Sequence, residues 1–318
     1  MKDPVVIKNS TDGLVNYAIN TTLNLYSLIM RIKYCQTTLI LLAFISFNYS
    51  NAYAQEKANP KDWVQLFNGK DLKDWIVKIN HHEAGENFGN NFRVENGIMQ
   101  VRYDKFLKFN EQFGHLYYKT PYSYYHLVVE YRFTGEWRKD APAYTIKNSG
   151  VMIHSQDPRT MPKDQNWPIS IEFQLLAGLG DGKSRPTGNM CSPGTEVIYK
   201  GKMDPRHCIE SSSKTYEGEQ WVRAEIIVLG DSLITHIING DTVLQYSKPQ
   251  IGGGVVNNYD PKIKQDGKLL TSGFIAMQSE GQPVDFRKVE ILNLEGCMDP
   301  KSKNYRPYYI KSDASKCK

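Results

Sequence analysis

From Asp62 onward, apolar and polar residues alternate with period two or sit between turn signals. No long stretch keeps an apolar spacing near 3.6 residues. The pattern predicts an all-β body. Its clearest run is Trp221 to Leu229, followed by Gly230-Asp231, Leu233 to Ile238, Asn239-Gly240 and Thr242 to Tyr246. Gly-Asp and Asn-Gly supply the positive φ that tight hairpins require, so a three-stranded meander is predicted. Asn96-Gly97 predicts another hairpin, between Phe92–Val94 and Ile98–Val101. Further strands are predicted over Tyr125–Phe133, Ser149–His154, Ile169–Leu176, Gly273–Gln278 and Val284–Leu294. Many strands with connections of irregular length suit a two-sheet jelly-roll sandwich rather than an up-and-down barrel.

Successive side chains of a strand point to opposite faces. Ile169, Ile171, Phe173 and Leu175 therefore form a core face, with Glu172 and Gln174 projecting from the other. Leu127, Val129, Tyr131 and Phe133 oppose His126, Val128, Glu130 and Arg132 in the same way. Val151 and Ile153 pack inward, leaving Met152 and His154 together, and Phe274, Ala276, Gln278 and Glu280 share one face. Alternation leaves two readings open: a solvated outer sheet, or a concave polar sheet lining a sugar cleft. His236 alternates with Ile234 and Ile238, so a buried core histidine and a working one are both consistent with it. Trp75, Trp137 and Trp167 are candidate platforms for a sugar ring, whereas Trp221 opens a meander strand and is assigned to the core. There is no G-x-S-x-G elbow, no phosphate-cradling glycine loop before a helix and no H-E-x-x-H, so cofactor-dependent redox chemistry has no support.

The chain has 318 residues and a formal charge of +5. Residues 30–54 read as a signal peptide: Arg31 and Lys33 precede an apolar run from Leu39 to Phe47, and Ala52-Tyr53-Ala54 is a small-x-small cleavage site. The run is about half of the ~20 residues a membrane span needs. Met30 is a candidate true start, with residues 1–29 an extra N-terminal segment. Cleavage after Ala54 leaves 264 residues with a charge of +3, too weak a balance to imply a nucleic-acid partner. No membrane association is expected after leader removal, and the mature protein is expected to be periplasmic or secreted. Residues 55–296 are assigned to one sandwich domain and residues 297–318 to a stapled tail. Four cysteines remain in an exported chain, and proximity pairs Cys191 with Cys208 and Cys297 with Cys317. None falls in a C-x-x-C pair, which speaks against zinc.

Several blocks together resemble the 3-keto-disaccharide hydrolase-type domain family. They are Trp63-Val64-Gln65-Leu66-Phe67-Asn68-Gly69-Lys70-Asp71-Leu72 with Trp75, Phe92-Arg93-Val94-Glu95-Asn96-Gly97, Val129 to Phe133, Asn148-Ser149-Gly150-Val151, Ile171 to Leu176, Pro186-Thr187-Gly188, and Gly273 to Gln278 through Phe286-Arg287. The resemblance implies a concanavalin A-like sandwich acting on sugars oxidised to a ketone at carbon 3. It also marks Glu130, Asn148, Glu172, Gln174, Gln278 and Arg287 as matches to the family's polar positions. His154, the Ser-Glu-Gly-Gln after Gln278, and the pair Cys191 and Cys208 depart from the broader pattern.

A ketone at carbon 3 acidifies the hydrogen on carbon 2, so a base can remove it and expel the glycosidic oxygen by β-elimination before water adds. Such a site needs a base, a donor to the keto oxygen and an acid for the leaving group. The base is expected to be Glu172 or His154, the enolate donors Arg287 with Gln174 or Gln278, and Glu130 gives structural or acid support. Asn148, Trp75, Glu280 and His236 complete the candidate substrate contacts. The sequence identifies no cofactor, and a divalent metal held by His154 and Glu172 could replace the arginine. The partner is a carbohydrate, an oxidised disaccharide or glycoside. A non-catalytic carbohydrate-binding module and an ordinary glycoside hydrolase with paired carboxylates are the rival readings.

Overall fold

The computed structural model describes residues 58–318. The signal peptide assigned to residues 30–54, the start at Met30 and the extra segment 1–29 lie outside the described residues. Two large antiparallel sheets are built. The first runs Cys208–Ile209, Asn189–Cys191, Ile171–Leu176, Asn148–Ser155, Phe274–Ser279, Gly114–Tyr118 and Trp75–Ile79 in spatial order. The second runs Lys202–Asp204, Thr195–Tyr199, Asp241–Ile251, Leu233–Ile238, Val222–Leu229, Tyr124–Phe133, Val284–Asn293, Ile98–Val101 and Phe92–Glu95, with Val64–Gln65 pairing against Val284–Asn293.

The inward faces are those the alternation predicts. Ile171, Phe173 and Leu175 meet Leu127, Val129, Tyr131 and Phe133 in one apolar core, together with Val151, Ile153, Ile275 and Met277. The fold is thus the all-β, two-sheet sandwich that the pattern implies. Consecutive strands often lie in different sheets, so residues far apart in sequence become neighbours.

Cys191 and Cys208 are bonded, as are Cys297 and Cys317. Two disulfides fit a protein that matures in an oxidising compartment. The tail is fastened by parallel pairing of Glu295–Gly296 with Lys311–Ser312. Among the described residues, no helix is long and apolar enough to cross a membrane.

Candidate functional site

The outward face of the seven-stranded sheet carries the unusual chemistry. Register places Glu172 opposite Met152 on one side and Cys191 on the other, and Gln174 opposite Gly150 and Asn189. On the neighbouring strands Ala276 lies opposite Met152, and Gln278 opposite His115, which in turn faces Lys78. Half of this face is apolar, with Tyr117, Met152, Met161, Phe274 and Ala276 packed together. The other half is polar and floors a cavity of about 460 Å³ that reaches Asn148, Glu172, Gln174 and Glu280.

Glu172 and Glu280 are only 6% and 5% exposed. Oε1 of Glu172 and Oε2 of Glu280 meet no hydrogen-bond partner among the described residues. Burial without a compensating donor disfavours the charged form. The Glu172 carboxyl is accordingly pushed up to about 8. That of Glu280 is raised well above the ordinary carboxylate range by burial first and by the neighbouring Glu172 charge second. Both carboxyls are thus held toward their protonated forms at neutral pH, and a charge on Glu172 further disfavours ionisation of Glu280.

Local sequence explains how the pair is held. Gly150 leaves the space that Glu172 crosses, since a Cβ there would sit 2.6 Å from Oε1 and 2.7 Å from Cγ. At the base of Glu280, the Ser279 hydroxyl donates to Asn91 Oδ1 at 2.6 Å and shares a 2.7 Å bond with the Tyr103 hydroxyl. The floor amides form a chain in which Asn189 Nδ2 donates to Gln174 Oε1 at 3.0 Å and Gln174 Nε2 to Asn148 Oδ1 at 3.3 Å. Asn148 Nδ2 then donates to the Tyr144 carbonyl at 3.2 Å. Gln174 keeps one N–H free for a ligand.

The structure therefore brings together Glu172, Gln174, Asn148 and Glu280. Gln278 lies on the same face but does not line the cavity, and it is fully buried with both amide atoms unpartnered among the described residues.

Five predicted residues lie elsewhere, each for a definable reason. His154 sits at a slip in pairing, where Phe274 faces Ser155 but Ala276 faces Met152. Its φ is +47°, and its Nε2 donates to the Gly230 carbonyl in a turn of the opposite sheet at 2.9 Å. Burial pulls its pKa down to about 4, so it is neutral. A metal shared by His154 and Glu172 does not fit this arrangement, because the two side chains leave the sheet in different directions. Arg287 and Glu130 pair with each other on the outer face of the ten-stranded sheet. There Arg287 and Arg132 lie over the ring of Trp221, at 4.5 and 4.7 Å, so Trp221 is an outer-face residue and not core.

Trp75 alternates inward with Val77 and Ile79 and is core. His236 is core as well: Nδ1 donates to the Gly188 carbonyl at 2.8 Å, Nε2 accepts from the Tyr246 hydroxyl at 2.9 Å, and burial pulls its pKa down to about 3. Of the other tryptophans, Trp167 reaches the cavity and Trp137 does not.

Two buried polar residues of this face went unpredicted. Lys78 is 1% exposed, donates to the carbonyls of Ile79 and Lys163, and is pulled down to about 8 by burial. His115 is held neutral, pulled down to about 3 by burial and by the Lys78 charge, with Nε2 unpartnered. Trp75-Ile76-Val77-Lys78-Ile79 alternates clearly, and that was the available signal. Cys191, His207 and Cys208 lie within 4.8 Å of one another at the cavity edge, but the two sulfurs are spent on the disulfide and offer a metal no thiolate.

A family model described as the 3-keto-alpha-glucoside-1,2-lyase-like domain matches residues 62–292. No curated protein sequence matches the chain. Similar solved structures include a protein provisionally called a glycosyl hydrolase from Parabacteroides distasonis ATCC 8503. It is 16% identical over 74% of this chain and 96% of its own, with a TM-score of 0.44. A Bacillus subtilis protein with a galectin-like fold is 10% identical over 72% and 93%, with a TM-score of 0.42. The carbohydrate-binding module CBM66 from Bacillus subtilis is 6% identical over 60% and 84%, with a TM-score of 0.34.

Proposed function

Because this chain belongs to the 3-keto-alpha-glucoside-1,2-lyase-like domain family, a carbohydrate-related family, we propose that it is a periplasmic or secreted enzyme cleaving 3-keto-glycosides by elimination and hydration. The observation that carries the reading is the pair of buried carboxyls, Glu172 and Glu280, both held toward their protonated forms and both reaching one cavity.

Glu172, ionising first, takes the carbon 2 hydrogen as a proton, and the C–H electron pair moves into the enolate of the ketone. Those electrons then form the carbon 1–carbon 2 double bond while the carbon 1–oxygen bond breaks. The departing oxygen receives the proton of Glu280. The pair begins and ends this half-reaction with one proton, now exchanged between its members. Hydration reverses the transfers: Glu280 takes a proton from water, the hydroxyl oxygen bonds carbon 1, and Glu172, its proton exchanged with solvent while the glycone and leaving group are apart, protonates carbon 2. No oxidant is consumed. The free N–H of Gln174 stabilises the enolate oxygen, and Asn148 orients the ring.

The test is cleavage of a 3-keto-glucoside by the purified protein in deuterated water. Expected are turnover, deuterium at carbon 2 of the released keto-sugar, and kcat/KM that rises with pH toward about 8 as Glu172 ionises. Loss of one acid–base group costs on the order of 10²–10⁴-fold, so Glu172→Gln should lose about that much of kcat. Turnover of unoxidised glycosides at comparable rates, or saturable glycan binding with no turnover of keto-sugars, would sink the reading.

A further inference from the structure

The cavity has two chemically distinct halves. Its floor is the carboxyl pair with Gln174 and Asn148, whereas its wall is Trp167, Leu176, Pro193, Val255 and the Cys191–Cys208 disulfide. Of the polar side chains along that wall, Arg185 is already engaged, its guanidinium donating to the carbonyls of Ile146, Lys147 and Ala177, and burial lowers the pKa of His207, which disfavours a charge there.

Val255 is the informative residue. It is 45% exposed, yet its φ is +75°, a left-handed conformation that strains a β-branched side chain. Such strain persists only where the surroundings over-determine it, and it clusters at ligand sites. Here the loop is fastened on both sides. Asn166 Nδ2 donates to the Val255 carbonyl at 3.2 Å, and Asn166 Oδ1 accepts from the Asn257 amide at 2.7 Å. Gly194 N donates to the Gly254 carbonyl at 2.9 Å, and Val256 is buried with Ile169 and Ile251. An apolar side chain is thus held at the cavity edge beside Trp167, while Tyr144, 55% exposed, offers a second aromatic face at the same cavity.

Resting on the carboxyl-pair mechanism proposed for this site, we propose that this wall is the subsite for the leaving group and that it selects 3-keto-glycosides of aromatic alcohols over 3-keto-disaccharides. A second sugar would bring several hydroxyls against a surface that leaves them unpaired, and buried unpaired hydroxyls weaken binding. A flat aromatic ring meets Trp167, the disulfide and Val255 with nothing left unsatisfied.

The test compares kcat/KM for a 3-keto benzyl glucoside with that for a 3-keto-disaccharide of the same anomeric configuration. Benzyl alcohol is no better a leaving group than a sugar hydroxyl, so a preference reports the subsite. The benzyl compound should be favoured about tenfold, through KM, a size reachable by a few apolar contacts. Val255→Asn keeps a residue that tolerates positive φ while making the wall polar. It should cut the preference for the benzyl compound about fivefold, and Val255→Gly should behave likewise. Equal use of both substrates, or preference for the disaccharide, overturns the aromatic subsite and leaves the elimination mechanism standing. Failure to cleave either overturns both.

Discussion

At the scale of single residues, the partners of a buried polar group separate one left open to a ligand from one that is only held. Glu172 and Glu280 are buried facing a cavity with carboxyl oxygens unpartnered, whereas His236 is buried with both nitrogens bonded. Sequence pattern could not separate these cases, because alternation reports the face of a strand and not what covers it. The Glu172 shift has a consequence for stability. Its folded-state pKa of about 8 lies above the 4.5 of the free group. The folded chain therefore holds the proton more tightly than the unfolded one, and this contribution is full below pH 4.5 and lost as pH rises through about 8. Wild-type Tm should fall between pH 5 and pH 9, and Glu172→Gln should flatten that decline, with its largest stabilising effect at pH 9. Parallel curves for the two proteins in a thermal-melt series would show that Glu172 ionises normally.

At the scale of elements, most strands of the two sheets were legible, and the errors come from pairing. The runs Tyr124–Phe133, Val222–Leu229 and Leu233–Ile238 follow from alternation and turn residues almost to their ends. His154 was misplaced because a slip in register against Phe274–Ser279 breaks the parity on which face assignment depends. Lys78 and His115 were missed because Gly114–Tyr118 is short and its partners lie far away in sequence, at Trp75–Ile79 and Phe274–Ser279.

The Asn-Ser-Gly-Val block has a plain reason to carry glycine. Gly150 is the gap in Asn148–Ser155 over which Glu172 reaches. Gly150→Ala should displace the Glu172 carboxyl by roughly an ångström, a shift that can cost about 10²-fold in rate. Expected are a folded protein with unchanged circular dichroism, near-normal binding of a non-reactive glycoside, and kcat down by about that factor. Full activity would mean that Glu172 works from another rotamer.

At the scale of the whole molecule, two disulfides of similar span have different neighbours. Cys191–Cys208 closes a separation of 17 residues and Cys297–Cys317 one of 20, so loop-closure entropy gives each about 3 kcal/mol. Their removal should lower Tm by similar amounts, on the order of 6–12 °C for a domain of this size. Their effects on turnover should separate. Cys191 pairs directly across from Glu172, and its disulfide joins the edge strand Cys208–Ile209 to its neighbour Asn189–Cys191 at the cavity wall. Cys297–Cys317 fastens a tail whose contacts run to Glu295–Gly296 and, through Arg306, to Asp62, none of them lining the cavity. The Cys191→Ser, Cys208→Ser double variant should raise KM several-fold at a temperature where it remains folded, because these two strands carry both the wall and the register of Glu172. The Cys297→Ser, Cys317→Ser variant should keep wild-type KM and kcat despite its lower Tm. If the tail variant lost turnover in step with the cavity variant, the tail would have to be coupled to the carboxyl pair through the sandwich core.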